Sequence, residues 1–327
     1  MKGRWVLGVD IGGTNLVVAA VPATGGRPSS IRSEPTRAER GPEDALERIG
    51  AMANAVIEET LALEVGQAAD FAGVGIGCPG PLDLEEGVIV TTPNLGWDGF
   101  PIRNRIADAL QLPASLDNDA NCATFGEWWQ GAGQGVASLV GVTLGTGIGG
   151  GYIERGRLMR GASGSALEIG HMTINFAGRS CGCGNRGCLE AYTSGPSIAA
   201  RAREGLAAGR SSLLPDLVDG EVSRITAETV YDALIQGDDF SADLIRETAD
   251  LLGIGLANVV NLFNPQVIVL VGGVARAGEH LFAPLRDSVE RRAFPSAARA
   301  CRIVPGALPD TAGVIGAAGV FVIDRVA

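Results

Sequence analysis

Two stretches of the chain share one pattern, an apolar strand followed by a glycine-rich turn and a second strand. The first stretch contains GVDIG at residues 8–12, and the second contains GVTLG at residues 141–145. These two five-residue segments align residue by residue. Around them, short apolar runs typical of strands alternate with segments whose apolar residues recur at helical spacing. This alternation, together with the repeated unit, predicts an α/β protein made of two similarly built halves.

The local patterns also predict individual elements. Strands are expected at 5–9, 16–21, 71–77, 114–116, 138–144 and 266–271, and helices at 43–63, 102–111, 120–131 and 311–324. After Gly195 the pattern is mainly helical, with 266–271 as its one buried strand. The last helix carries Gly313, Gly316 and Gly319, which would let another element pack closely against it.

Composition excludes several classes of protein. The 327 residues carry a net charge of −11, which disfavours binding to nucleic acid or to an anionic membrane. Apolar residues make up 46% and charged residues 19%, a balance that disfavours disorder. The N-terminus shows no leader, and the apolar region 251–274 is interrupted by asparagines and a proline before it reaches the ~20 residues of a membrane span. A cytoplasmic protein of two domains is therefore expected.

One cluster of residues predicts a metal site. Cys181, Cys183 and Cys188 are spaced C-x-C-x4-C, and His171 lies ten residues before the first of them. Three thiolates and one imidazole form a closed tetrahedral set, which is the ligand set of a structural zinc. Three buried free thiols would be the alternative, but Asn185 and Arg186 among them disfavour it.

Two glycine-rich turns are candidates for binding phosphate. In the first, Asp10-Ile11-Gly12-Gly13-Thr14-Asn15, backbone N–H groups can approach an anion and Asp10 can hold Mg²⁺ through water. A plain tight hairpin explains that turn equally well. The second turn has five glycines in residues 145–151, more than a hairpin needs, which favours a second phosphate cradle.

Candidate substrate-binding groups lie on two further segments. Asp117-Asn118-Asp119 comes where a short strand meets a helix, so a carboxylate there can act as a general base; an ordinary helix N-cap is the leading alternative. Glu168 and Glu190 lie beside the predicted zinc ligands, and with His171 they can offer acceptors to a polyol. Plain surface carboxylates are the alternative for the two glutamates.

The motifs together resemble one family. DIGGTN, GCPGPLD, TPNLGW, DNDAN, LGTGIGGG, EIGH, CGCGNRGCLE and TAGVIGAA occur in an order similar to that of bacterial ROK-family sugar kinases, over almost the whole chain. The resemblance implies two actin-like (ribonuclease H-like) α/β domains with an interdomain cleft for the sugar. It places the smaller domain at 1–118 plus the C-terminal helix 311–327, and the larger, zinc-carrying domain at 119–310.

The resemblance also implies an activity. Some family members are repressors with an added N-terminal helix-turn-helix, but DIGGTN begins at residue 10, so the kinase branch is expected and within it the glucokinases. The expected reaction is ATP-dependent phosphorylation of the primary hydroxyl of a hexose, glucose first, with Mg²⁺ and a structural Zn²⁺ and in a homodimer or homotetramer. N-acetylglucosamine, N-acetylmannosamine, mannose or fructose are alternative substrates, and polyphosphate or ADP alternative donors. A non-catalytic sugar sensor is the alternative from another class.

Residue roles follow from the same resemblance. Asp119 matches the catalytic base, and Asn118 its sugar-binding neighbour; the family often has Glu in place of Asp117. The sugar-hydroxyl contacts are expected at Asn94, Asn118, Glu168, His171 and Glu190. The nucleotide contacts are expected at Asp10, Gly12, Gly13, Thr14, Asn15, Gly145, Thr146, Gly147, Gly272 and Gly273.

Overall fold

The computed structural model describes residues 5–63, 70–92 and 94–326. Its strands are β1 (Trp5–Ile11), β2 (Asn15–Pro22), β3 (Ser30–Pro35), β4 (Phe71–Cys78), β5 (Leu82–Asp83), β6 (Val88–Thr92), β7 (Trp97–Phe100), β8 (Ala114–Asn118), β9 (Ser138–Leu144), β10 (Ile148–Glu154), β11 (Arg157–Leu158), β12 (Val267–Val271) and β13 (Arg302–Pro305). Its helices are α1 (Gly41–Leu63), α2 (Ile102–Leu110), α3 (Asp119–Gln130), α4 (Glu190–Thr193), α5 (Gly195–Ala207), α6 (Leu214–Leu217), α7 (Ala227–Ile235), α8 (Asp239–Phe263), α9 (Glu279–Arg292), α10 (Pro295–Ala300) and α11 (Ala312–Val326).

The two large sheets have the same strand order. One sheet runs β3-β2-β1-β4-β8 and the other runs β11-β10-β9-β12-β13. If the five strands of each sheet are numbered in chain order, both sheets have the order 3-2-1-4-5. In the first sheet β1 and β2 are antiparallel, whereas β1, β4 and β8 are mutually parallel neighbours. The predicted repeat of a strand–turn–strand unit and the predicted α/β fold class are therefore both confirmed.

All ten predicted strands and helices are present, and each observed end lies within two residues of the predicted end. The prediction of one strand after Gly195 is wrong, because β13 pairs in parallel with β12. β13 has only two apolar residues, between Arg302 and Pro305, so its sequence gives little indication of a strand. It forms a strand because it pairs with β12. The small sheet β5-β6-β7 was also not predicted, for the same reason of short strands with mixed polarity.

The first sheet buries both of its faces. Alternate residues of β1, Leu7, Val9 and Ile11, pack in one core with apolar residues of α1 and α2. On the other face, glycines of β1 and β4 let α11 lie directly on the sheet: a Cβ on Gly8 would be 2.0 Å from the carbonyl oxygen of Val314. Close packing of α11, predicted from its glycines, is confirmed, since a Cβ on Gly316 would be 1.6 Å from the carbonyl oxygen of Cys122 in α3.

Contacts divide the chain into two compact units. The first unit holds Met1–Gly141, Gly151–Ala166 and Gly306–Ala327, and the second holds Val142–Gly150 and Leu167–Pro305. The first unit thus extends beyond the predicted boundary at residue 118. The physical reason is α3, which packs against α11 and so stays with the unit that α11 completes.

The structure has no helix that combines the length and the apolar character of a membrane span, within residues 5–63, 70–92 and 94–326.

Candidate active site and metal centre

Three parallel strands of the first unit end at the same edge of their sheet and bring acidic residues together. Asp10 pairs in register with Gly77 of β4, and Gly77 pairs with Asp117 of β8. A Cβ on Gly77 would be 3.1 Å from Sγ of Cys122 and 3.7 Å from Oδ1 of Asp10, so glycine lets both side chains lie close to the strand here. Asp119 follows β8 by one residue, so the edge carries a cluster of carboxylates.

Asp10 is held in a confined place. A Cβ on Gly313 of α11 would be 2.1 Å from Oδ2 of Asp10, so only glycine fits there. Burial, and secondarily the nearby charge of Asp119, raise the pKa of Asp10 to about 7. Two neighbouring carboxylates are a donor set suited to a hard divalent cation such as Mg²⁺.

The junction of β8 and α3 resolves one ambiguity in the sequence. Asn118 is the N-cap of α3: its Oδ1 accepts hydrogen bonds from the N–H groups of Ala120 and Asn121, at 2.9 and 3.2 Å. The capping interpretation is therefore confirmed for Asn118. Asp119 is the first residue of the helix, where its charge is favourable to the helix dipole.

The first glycine-rich turn is a tight hairpin between β1 and β2. The Gly12 N–H donates to the carbonyl of Asn15 at 2.9 Å, and Thr36 fixes the turn from outside through Oγ1 on the carbonyl of Gly12. Gly13, Thr14 and Asn15 are exposed, and a Cβ on Gly13 would meet nothing within 4 Å. The hairpin interpretation is confirmed, and its exposed tip leaves room for the predicted phosphate. Asn94, also in this unit, is exposed in the turn that follows β6.

The second unit contains the predicted metal centre. The ligand atoms of His171, Cys181, Cys183 and Cys188 all lie within 4.8 Å of one another. The Sγ atoms of Cys183 and Cys188 are 3.7 Å apart, and Nδ1 of His171 is 3.7 Å from Sγ of Cys181. A tetrahedral zinc with bonds of about 2.3 Å to sulfur and about 2.0 Å to nitrogen sets these edges at about 3.8 and 3.5 Å. These two edges therefore match the spacing of a tetrahedral zinc site.

The protonation of the thiols is consistent with a metal site. Burial raises the pKa of the Cys188 thiol to about 12, and burial also raises that of Cys181. The backbone N–H of Asn185 lowers the pKa of Cys183. Thiols that stay protonated in the free protein lose their protons when a metal binds, so affinity for the metal rises with pH.

Glu168 and Glu190 flank this centre. Glu168 is exposed and begins the 3₁₀ turn Ile169–His171, directly after Leu167, whose φ of 63° is unusual for a leucine. Glu190 begins α4; its Oε2 accepts a hydrogen bond from the N–H of Ile148 at 2.8 Å, and its Oε1 lies 3.9 Å from Sγ of Cys181. Glu190 therefore joins the metal loop to the second glycine-rich turn.

The second glycine-rich turn opens onto a cavity. The carbonyl oxygen of Gly145 accepts a hydrogen bond from the N–H of Gly195 at 2.9 Å, which fixes the turn to the start of α5. Gly272, with φ +100°, lies against the backbone of Leu144, where any Cβ would be 2.5 Å from a carbonyl oxygen. The cavity has a volume of about 620 Å³ and is lined by residues that include Gly145, Thr146, Gly195, Pro196, Ala199, Arg203, Ile225, Tyr231, Gly273 and Val274.

Sequence reasoning missed much of this cavity. Arg203, Ile225 and Tyr231 line it from α5, α7 and the segment before α7, more than fifty residues after the glycine-rich turn. None belongs to a motif, because an apolar pocket wall can be made from many residue types. The Gly195-Pro196 start of α5, beside the predicted metal loop, was the one local signal available.

Comparisons with known proteins identify the family of the chain. The model of the ROK family matches residues 6–323, and the chain belongs to the ROK family. A glucokinase of Thermotoga maritima is 37% identical over 317 residues, which cover 97% of this chain and 96% of that protein. A ROK family glucokinase from Streptomyces griseus, solved in complex with glucose and AMPPNP, has a TM-score of 0.83 at 34% identity and covers 97% of this chain and 98% of its own.

The family also includes regulators. A xylose repressor of Caldicellulosiruptor bescii is 34% identical over 252 residues, which are 77% of this chain but 63% of the repressor. The two glucokinases thus match over nearly their whole length, and the repressor over part of its length.

Proposed function

We propose that this protein is a glucokinase that transfers the γ-phosphoryl group of ATP to the 6-hydroxyl of glucose. The observation that carries the proposal is the match, over nearly both whole chains, to a glucokinase solved with glucose and a non-hydrolysable ATP analogue. The carboxylate cluster of the first unit and the cavity of the second supply the two kinds of site that such a reaction needs.

Asp119 is proposed as the general base. It accepts the proton of the sugar 6-hydroxyl while the hydroxyl oxygen forms a bond to the γ-phosphorus and the bond from that phosphorus to the bridging oxygen breaks, which releases ADP. Its place at the first turn of a helix holds the carboxylate on a rigid element. Nδ2 of Asn118, exposed Asn94 and Glu168, His171 through Nε2, and Glu190 are proposed to bind the other sugar hydroxyls.

The nucleotide is proposed to occupy the cavity of the second unit. Gly145, Thr146 and Gly147 then face the phosphates, with Gly272 and Gly273 on the side of the adenosine. Ile225, Tyr231 and Val274 offer an apolar wall for a base, and Arg203 a cation. The hairpin tip with Gly12, Gly13, Thr14 and Asn15 is proposed to contact the phosphates as well. Asp10 would hold Mg²⁺, which neutralises phosphate charge when it is bound.

The Cys₃His cluster is proposed to hold a structural zinc. Four protein ligands leave no open position for a catalytic water, so the ion would fix the loop that presents His171 and Glu190. A homodimer or homotetramer remains the proposed assembly, and sedimentation velocity of the purified chain tests it.

A coupled kinase assay over a panel of sugars tests the activity. Glucose with ATP should give the highest kcat/KM, with N-acetylglucosamine, N-acetylmannosamine, mannose and fructose as competitors and with ADP and polyphosphate as alternative donors. Asp119→Asn should lower kcat by about 10²–10⁴-fold and keep glucose binding in calorimetry. Glucose binding without turnover in the wild type would favour the sugar sensor, and near wild-type turnover in the variant would reject Asp119 as the base.

A further inference from the structure

Asp117 is the most completely buried acidic residue near the proposed base. Its side chain is 0% exposed and accepts three hydrogen bonds: from the N–H of Asn118 at 2.8 Å, from Nδ2 of Asn121 at 2.8 Å and from Nε of Arg160 at 2.6 Å. A buried carboxylate is stable only with such partners, and here Arg160 supplies the opposite charge.

Arg160 follows β11 and holds two carboxylates at once. Its Nη2 donates to both carboxylate oxygens of Asp324 on α11, at 2.9 and 3.0 Å, while Nε reaches Asp117. The two partners differ in exposure, since the Asp324 side chain is 35% exposed and that of Asp117 is not exposed at all. Water can replace Arg160 at Asp324, but not at Asp117.

The groups that Asp117 holds lie on either side of Asp119. The N–H of Asn118 precedes the proposed base and the Asn121 side chain follows it, on the first turn of α3. Asn118 in turn caps that helix through Oδ1. A shift of the Asp117 carboxylate would therefore move the short segment that orients Asp119.

We propose that Arg160 is a positioning residue for phosphoryl transfer: it fixes Asp117, and Asp117 fixes the backbone and first helical turn that aim Asp119 at the sugar hydroxyl. This inference rests on the proposed function, in which Asp119 is the base. Arg160 would thus affect the rate of the reaction although it lies about forty residues after Asp119 in the chain and belongs to none of the motifs named above.

Steady-state kinetics of one variant and its matched control test the inference. Arg160→Met should lower kcat at saturating glucose and ATP by about 10²-fold, the cost typical of a positioning group displaced by ~1 Å. The KM for ATP should change less than about twofold, because the Arg160 side chain bonds Asp117 and Asp324, which are not among the groups proposed to bind the nucleotide. The matched control is Asp324→Asn, which removes the exposed partner of the same arginine and should keep kcat within about twofold. A folded Arg160→Met with wild-type kcat, or an equal loss in Asp324→Asn, would overturn the inference.

A double variant covers the case in which Arg160→Met does not fold. Asp117→Asn with Arg160→Met leaves no unpaired buried charge, so it should fold and still show kcat reduced by about tenfold or more, because the anchor is lost. A folded double variant with wild-type kcat overturns the inference. Asp119→Asn, measured in parallel, separates the two proposals: if it stays active, the assigned base is wrong, whereas an inactive Asp119→Asn beside a fully active arginine variant rejects only the role of Arg160.

Discussion

At the scale of single residues, Asp10 shows how a position proposed to hold a metal ion costs stability. Its pKa of about 7 in the folded protein exceeds its ordinary value of 3.8, so the folded state keeps a proton that the unfolded chain releases between those pH values. The free energy of unfolding of the metal-free protein should therefore fall as pH rises from about 4 to 7, by at most about 1.4 kcal/mol per pH unit from this group.

Asp10→Asn should remove that dependence and stabilise the metal-free protein at pH 8, while it abolishes kinase activity. Urea unfolding at pH 5, 6, 7 and 8 without divalent cations measures the effect, with the exposed Asp98→Asn as control. A variant with the same pH slope as the wild type would show that Asp10 is not the buried titrating group.

A second residue-scale prediction concerns Gly273. A Cβ there would meet nothing within 4 Å, and the residue lines the proposed nucleotide cavity. Gly273→Val should keep the fold and weaken AMPPNP binding by about tenfold or more, since methyl groups would occupy ligand space. Gly50→Val, a position in α1 with equally open surroundings, is the control. Calorimetry with unchanged affinity in Gly273→Val would remove this turn from the site. Gly147 is a poorer probe, because its Cβ would press on Glu190 at 2.8 Å.

Elements differ in how far their packing can be changed, and α11 is the most restricted. Gly316 lies against the backbone of α3, where a methyl group has no space, and backbone cannot move aside as a flexible side chain can. Gly316→Ala should lower the free energy of unfolding by about 1–3 kcal/mol or more. Gly50→Ala, the same change in the open surroundings of α1, should raise it by about 0.5–1 kcal/mol. Equal effects in the two variants, measured by urea unfolding, would contradict this packing.

The proposed metal loop is an element whose shape we expect to depend on four side chains. Residues 173–186 are all exposed or half-buried, and Phe176 is 90% exposed. Cys183→Ser should lose the metal, raise KM for glucose and lower thermal stability, since His171 and Glu190 lose their fixed positions. Elemental analysis should find about one zinc per wild-type chain, as one four-ligand cluster requires. A folded, metal-free wild-type preparation with full activity would contradict the role of the metal. Cys301→Ser, at a cysteine outside the cluster, is the matched control.

For the whole molecule, the order of segments in the chain matters most. The first unit takes its last helix from the C-terminal end of the chain: Val314, Ile315 and Phe321 of α11 complete a core with Val6 and Val21 of the first sheet. A fragment of residues 1–141 should therefore not unfold cooperatively, because each of these side chains contributes about 1.5–3 kcal/mol when buried. Circular dichroism during urea titration tests this, and a sharp transition in the fragment would contradict it.

The sequence allowed the prediction of those features that depend on local spacing. Patterns within about twenty residues predict α1, α2, α3 and α11, the strands with long apolar runs, the Cys₃His set and a helix cap among residues 117–119. β13, the small sheet, the cavity wall at Tyr231 and the pairing of Arg160 with Asp117 were not predicted, because each depends on partners that only the folded chain brings together. The extension of the first unit past residue 118 was not predicted for the same reason, since it depends on the packing of α3 against α11.

The hydrogen bond from Ile148 to Glu190 implies that the two substrates influence each other. One oxygen of Glu190 holds the glycine-rich turn, and the same carboxylate is proposed to hold a sugar hydroxyl. When one ligand orders Glu190 and the glycine-rich turn, the second ligand pays less entropy to bind. Such coupling of two binding sites is reciprocal. Glucose should therefore strengthen AMPPNP binding by the same factor by which AMPPNP strengthens glucose binding. Glu190→Gln, which keeps one acceptor oxygen and loses the charge, should reduce that shared factor toward one in both directions of the calorimetric cycle.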